Sequence, residues 1–197
     1  MSGQTDTKQL DWWKDIRTGL KKSLVKRNPS DKDMPVMMIE LSSSGRQMNK
    51  MGHLGMFLIK MQLHCKLYLA CFAGGFWGLS SKLLDSKDDM DIAEGVTQSC
   101  RTSYQKSKTK IGPEAFNESG NVYGRDSYYI LRPETVESYF YMWRMTKNQK
   151  YRDWAWDFVQ ALEEHCRSTY GYAGLKDVNS GEQNTTQESF FLAETLK

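Results

Sequence analysis

From Lys8 to Lys26, apolar residues recur at Leu10, Trp13, Ile16, Leu20 and Leu24, steps of three and four that place them on one side of a helix. Asn28-Pro29-Ser30 ends that pattern. Residues 30–50 are polar and mixed and read as a connector, with the short apolar run Val36–Leu41 as a strand candidate. Leu54–Leu79 is the most apolar stretch, but Lys60, His64 and Lys66 interrupt it, and Gly74-Gly75 would weaken a helix crossing a membrane. The expectation there is a buried or misplaced helical segment, not a transmembrane one.

Three further helices are predicted, over Ile92–Tyr104, Pro133–Met145 and Tyr151–Cys166. The polar break Thr146-Lys147-Asn148-Gln149 is short enough to set the last two side by side and antiparallel. In the second of them Tyr151, Trp154, Phe158 and Leu162 share a face. Gly171-Tyr172-Ala173-Gly174 marks a turn of a small hairpin. Glu188–Lys197 opens another helix that stops in mid-pattern, with no Gly or Pro to close it, as expected of a truncated chain. The fold class is therefore all-α, in one domain of 197 residues, long enough to bury a sizeable core.

Composition narrows the function classes. The net charge of +3 comes from 27 basic and 24 acidic residues spread through the sequence, so no basic field of the kind nucleic-acid binding needs is present. Six Trp and ten Tyr suit apolar sugar faces, although they fill helical cores equally well, and the core is the stronger reading. No charged segment followed by an apolar run opens the chain, so no secretory signal is visible. The four cysteines, at 65, 71, 100 and 166, lack zinc-site spacing, and two sequons stand at Asn117-Glu118-Ser119 and Asn184-Thr185-Thr186.

Candidate chemistry sits in two clusters. In Leu131-Arg132-Pro133-Glu134-Thr135-Val136-Glu137-Ser138, proline opens a helix and two glutamates lie three apart in its first turns. The helix dipole favours their ionised forms, which suits a general base or an outer-shell metal ligand; by pattern alone, helix-end charge optimisation is the stronger reading. In Ser189-Phe190-Phe191-Leu192-Ala193-Glu194-Thr195, Glu194 stands among apolar neighbours at an expected buried helix start, where it needs a cation, a metal or a bound ligand unless it faces water.

At these residues the chain resembles the class I α-1,2-mannosidases of glycoside hydrolase family 47, in their Golgi-type branch. The resemblance runs in family order through Lys50–Leu54, Ala70–Gly75, Gly112-Pro113-Glu114, Tyr128–Ser138, Gly171–Val178 and Ser189–Lys197. It implies a partial (α/α)7 barrel, about half of the helices, with a small β-hairpin. It also implies a calcium ion at the floor of a pocket that removes terminal α-1,2-linked mannose from asparagine-linked glycans, with inversion. Glu134 matches the catalytic base. Arg132, Phe190, His53 and Glu194 are implied to contact substrate or line its pocket. Glu114, Glu137 and Glu194 are implied to hold waters around the calcium, and Cys71 and Cys100 to form a disulfide suited to an oxidising lumen. High-mannose glycoproteins are the implied partners. The implied location is the Golgi or endoplasmic reticulum lumen, with a type II membrane anchor in the parent enzyme and none in this chain.

The departures set further expectations. The N-terminal half of the family barrel, with its acid-side carboxylates, is not in this sequence, and Asp126-Ser127-Tyr128-Tyr129 only imitates one of its motifs. The calcium's direct ligand, a threonine in an Asn-Thr-Glu motif, is expected beyond Lys197. Residues 55–69 form an atypical insert between the histidine and the Ala-Cys-Phe block. The chain is thus expected to be inactive alone, and calcium is an expectation for the parent family. The alternative reading is a non-catalytic, mannose-glycan-binding quality-control relative.

Overall fold

The computed structural model describes residues 7–42, 44–52, 56–57, 67–68 and 70–197. Helices α1 (Thr7–Leu24), α2 (Ala73–Leu84), α3 (Lys87–Lys106), α4 (Glu134–Thr146) and α5 (Lys150–His165) carry the architecture, and short antiparallel strand pairs fill the connections. Helix α2 packs against both α3 and α4, and α4 packs against α5. Two apolar clusters result. One gathers Leu20, Leu24, Trp77, Ile92, Val96 and Met142 between the first four helices. The other gathers Tyr104, Tyr129, Leu131, Phe158, Leu175 and Phe191 beneath the segment before α4. Among the described residues, no helix is long and apolar enough to cross a membrane.

The close approach at α2 depends on glycine. A Cβ on Gly74 would lie 2.1 Å from Oγ1 of Thr97 on α3 and 3.0 Å from Oγ of Ser138 on α4, so the bare backbone is what lets three helices meet. Ser138 joins two of them. Its hydroxyl donates to the Cys71 carbonyl at 2.6 Å and accepts from the Gly75 N–H at 3.1 Å. Cys71 is in turn joined to Cys100 of α3 by a disulfide, with Cα atoms 6.0 Å apart.

Helix α3 begins at Lys87, ahead of the apolar periodicity that locates it in the sequence. The polar stretch is helical because Ser86 caps it, accepting from the Asp89 N–H at 3.3 Å, and because Asp88 and Asp89 suit the positive end of the helix dipole. Asp89 is fully buried and takes the Arg17 Nε at 2.6 Å and the Lys21 ammonium, which fastens α1 to the bundle.

Three expectations need correction. The stretch read as a polar connector contains Met34 and Val36–Ile39, all buried, because Val36–Met38 pairs antiparallel with Val25–Arg27 and lies on α3. The single helical segment expected over Leu54–Leu79 gives way to a strand pair, Met56–Phe57 with Leu67–Tyr68, and a helix that starts only at Ala73; the remainder of 53–69, with His53 and Cys65, lies outside the described residues. The C-terminal helix is a short π-helical turn at Phe191–Thr195, with the Leu196 N–H reaching back to the Phe191 carbonyl at 3.2 Å. Gly171–Tyr172 is the second strand of a hairpin with Arg167–Ser168, turning at Thr169-Tyr170, and Ala173-Gly174 leads into a second hairpin, Leu175–Asp177 with Glu182–Gln183.

Candidate active site

The segment Tyr129–Glu134 carries the densest chemistry. Tyr129 exchanges backbone hydrogen bonds with Leu175 at 2.9 and 2.7 Å, and its hydroxyl donates to the Arg132 carbonyl at 3.1 Å. Between them, Leu131 is fully buried with φ of 62°, in the left-handed region that costs a side chain such as leucine about 1 kcal/mol. Clamping by the hairpin holds this turn, and the turn sets Arg132 and Glu134 on the same wall. Pro133 then opens α4 without leaving an unmet backbone donor.

Arg132 meets Glu114 through two parallel bonds, Nε to Oε2 at 3.0 Å and Nη2 to Oε1 at 2.8 Å. Its Nη1 stands 3.9 Å from Oε1 of Glu134, and its guanidinium carbon lies 5.8 Å from the centre of the Phe190 ring. Arg132, Glu134, Glu114 and Phe190 therefore converge. Glu134 is 7% exposed, and its Oε2 has no hydrogen-bond partner among the described residues. Burial pushes its carboxyl up to about 7, with its own backbone N–H and Arg132 opposing and Glu114 and Glu137 adding to the rise. The helix dipole favours the ionised form of Glu134, and burial works against it.

Glu137, one turn on, is half-buried, and its carboxyl is raised first by burial and then by the charge of Glu194. Glu194 thus lies within electrostatic reach of this wall, but it is exposed, not buried as the apolar string around it implied. The π-helical turn buries Phe191 and leaves Leu192, Ala193 and Glu194 to solvent. His53 lies outside the described residues.

Calcium takes about six to eight oxygen ligands. Both oxygens of Glu114 are engaged by Arg132, Glu194 is exposed, and no group of three or more His, Cys, Asp or Glu among the described residues is arranged to hold a metal. These residues do not make a calcium site by themselves. The commitment of Glu114 to Arg132 and the role of Tyr129 as backbone clamp had no signal in the sequence, because both depend on contacts between distant segments.

One helical wall thus brings together a buried glutamate, an arginine fixed by Glu114 and an aromatic ring. The chain belongs to glycosyl hydrolase family 47, whose model matches residues 1–197. It is 39% identical over its full length to the mannosyl-oligosaccharide α-1,2-mannosidase IA of Drosophila melanogaster, covering 28% of that protein. It is 38% identical to the human mannosyl-oligosaccharide 1,2-α-mannosidase IC over its full length, covering 30% of it. Against 66% of the chain, the Spodoptera frugiperda mannosidase IA is 52% identical, with 21% of that protein covered. Among solved structures, the α-1,2-mannosidase from Trichoderma reesei superposes with a TM-score of 0.77 at 27% identity, over 94% of this chain and 40% of that one. The chain accordingly has the fold of part of an (α/α)7 barrel and spans less than a third of the curated relatives named here.

Proposed function

We propose that this chain supplies the base-side wall of a mannosyl-oligosaccharide 1,2-α-mannosidase, acting on terminal α-1,2-linked mannose of asparagine-linked glycans. The observation that carries the reading is Glu134: buried, raised to about 7 and left with one carboxylate oxygen free among the described residues, beside an arginine that Glu114 holds in place. An inverting glycosidase needs a carboxylate that takes a proton from water as that water attacks the anomeric carbon. Glu134 fills that role. Its raised value makes it a stronger base than a solvated glutamate while keeping a substantial ionised fraction near neutral pH.

Arg132 offers sugar hydroxyls the N–H groups that Glu114 does not take, and Phe190 offers a ring face to the apolar side of the pyranose. Protonation of the leaving oxygen falls to the part of the relatives that this chain does not span, so the chain alone is inactive. Calcium dependence belongs to the proposal for the longer enzyme. There Glu137, Glu194 and Glu114 would hold waters toward the ion, Glu114 through the lone pairs that Arg132 leaves free. High-mannose glycoproteins as partners and a location in the secretory lumen follow from the same reading, and the Cys71–Cys100 disulfide supports it.

The test is a chimera in which this chain replaces the matching segment of the Drosophila relative. Mannose release from a high-mannose glycan is expected, with a loss of at least about 100-fold on Glu134→Gln, the scale of a general base. A folded chimera whose activity Glu134→Gln leaves intact contradicts the assignment.

A further inference from the structure

The two sequons are not used by the site, and they differ in what surrounds their acceptor amides. Asn117 ends a strand, Ala115–Asn117, paired with Lys50–Gly52, and begins a tight turn. Its Oδ1 accepts from the N–H groups of Ser119 at 2.9 Å and Asn121 at 3.2 Å, while among the described residues its Nδ2 donates no hydrogen bond. Gly120, with φ of 74°, closes the turn through its N–H to the Asn117 carbonyl at 2.9 Å. Glu118 and Ser119 are exposed. The amide oxygen of the half-buried Asn117 is thus fixed by the chain, and its amide nitrogen is left uncommitted among the described residues, next in sequence to two exposed residues.

Asn184 shares the contact of its amide oxygen with the N–H two residues on, but its amide nitrogen is crowded. Its backbone N–H donates to the Gly174 carbonyl at 2.9 Å, the Gly174 N–H donates to the Thr186 carbonyl at 3.3 Å, and the Thr186 N–H donates to its Oδ1 at 2.9 Å. Its Nδ2 lies against Gly174, so close that a Cβ there would stand 2.7 Å away, and Gly174 itself presses on the Tyr129 carbonyl. A sugar on Nδ2 of Asn184 would push the hairpin off the segment that positions Arg132 and Glu134.

We propose that Asn117 is an N-glycosylation site of this protein and that Asn184 is unmodified in its folded form. The inference shares with the functional reading only passage through an oxidising lumen, which the buried Cys71–Cys100 disulfide supports independently. The donor is a lipid-pyrophosphate-linked oligosaccharide, and the reaction is catalysed by the lumenal oligosaccharyltransferase. Nδ2 of Asn117 forms a bond to the anomeric carbon, the bond from that carbon to the pyrophosphate oxygen breaks, and the amide loses one proton to a base of the transferase. The lipid pyrophosphate leaves.

The experiment imports the full chain into endoplasmic-reticulum microsomes behind a cleavable leader and maps glycans on the disulfide-bonded monomer by N-glycosidase digestion and peptide mass analysis. One glycan is expected, at Asn117. It should be lost in both Asn117→Gln and Ser119→Ala, the latter keeping the turn's amide contacts, and retained in Asn184→Gln. An unoccupied Asn117, or a glycan on Asn184 in that disulfide-bonded fraction, overturns the proposal. Because the leader supplies entry to the lumen, either result leaves the mannosidase reading to be judged by its own chimera.

Discussion

A carboxylate beside a guanidinium is ordinarily held ionised, but at Glu134 the guanidinium is already engaged. Arg132 gives its two parallel bonds to Glu114 at 3.0 and 2.8 Å and approaches Glu134 only to 3.9 Å. Desolvation then decides, and the Glu134 carboxyl rises from the ordinary 4.5 to about 7. A raised carboxyl favours the folded state below pH 4.5, and that contribution is lost as pH rises through about 7. It amounts to roughly 3 kcal/mol by linkage. Glu134→Gln should remove this share of the pH dependence, so denaturant unfolding of the two proteins between pH 4.5 and 8 should give curves that diverge by that amount; parallel curves would show a solvated Glu134. The Arg-Pro-Glu string was readable as a candidate site because family order fixed it, yet its electrostatics were not. Helix-end charge and buried base have the same local sequence, and only the surrounding segments distinguish them. Glu194 shows the converse, since apolar neighbours in sequence implied burial that a π-helical turn did not provide.

The elements that position this wall are short, and small residues hold them together. Ser138 bonds the carbonyl of Cys71 and the N–H of Gly75, both buried, so Ser138→Ala deprives one donor and one acceptor of this partner and removes the bond between α4 and α2. The expected loss is about 1–3 kcal/mol, the range for an unmet buried polar group, read as a lower denaturant midpoint at unchanged slope. Gly74→Ala should cost a similar amount, about 1–3 kcal/mol, because its methyl would enter the Thr97 hydroxyl. Either variant with wild-type stability would mean that α2 has room to move away from α3 and α4. Helices with clean apolar periods, α1 and α5, were legible. Helix α2 was not, since Gly74, Gly75 and Gly78 suggest a break in sequence but mark the face where three helices touch. The strand Val36–Met38 was legible as an apolar run, but its burial was not, because that comes from α3, about sixty residues later.

For the molecule as a whole, α1 is the outlying part, and buried charge secures it. Asp89 is inaccessible to solvent and pairs with Arg17 and Lys21 across more than sixty residues of chain. Removing the acid takes the only carboxylate from the partly buried Arg17, among the described residues, and leaves Lys21 with Asp88 alone, so Asp89→Ala should destabilise by about 3–5 kcal/mol and expose Trp13, which reports by fluorescence. An unchanged emission and midpoint would show that apolar packing alone seats α1. The arrangement of helices behind one wall is what the relatives share with this chain, and the wall's character rests on the environment of one carboxyl. That environment is measured most directly by carbon-13 NMR titration of the Glu134 side chain. The account predicts a midpoint near 7, rising further in Arg132→Ala; an ordinary value near 4.5, insensitive to that substitution, would contradict it.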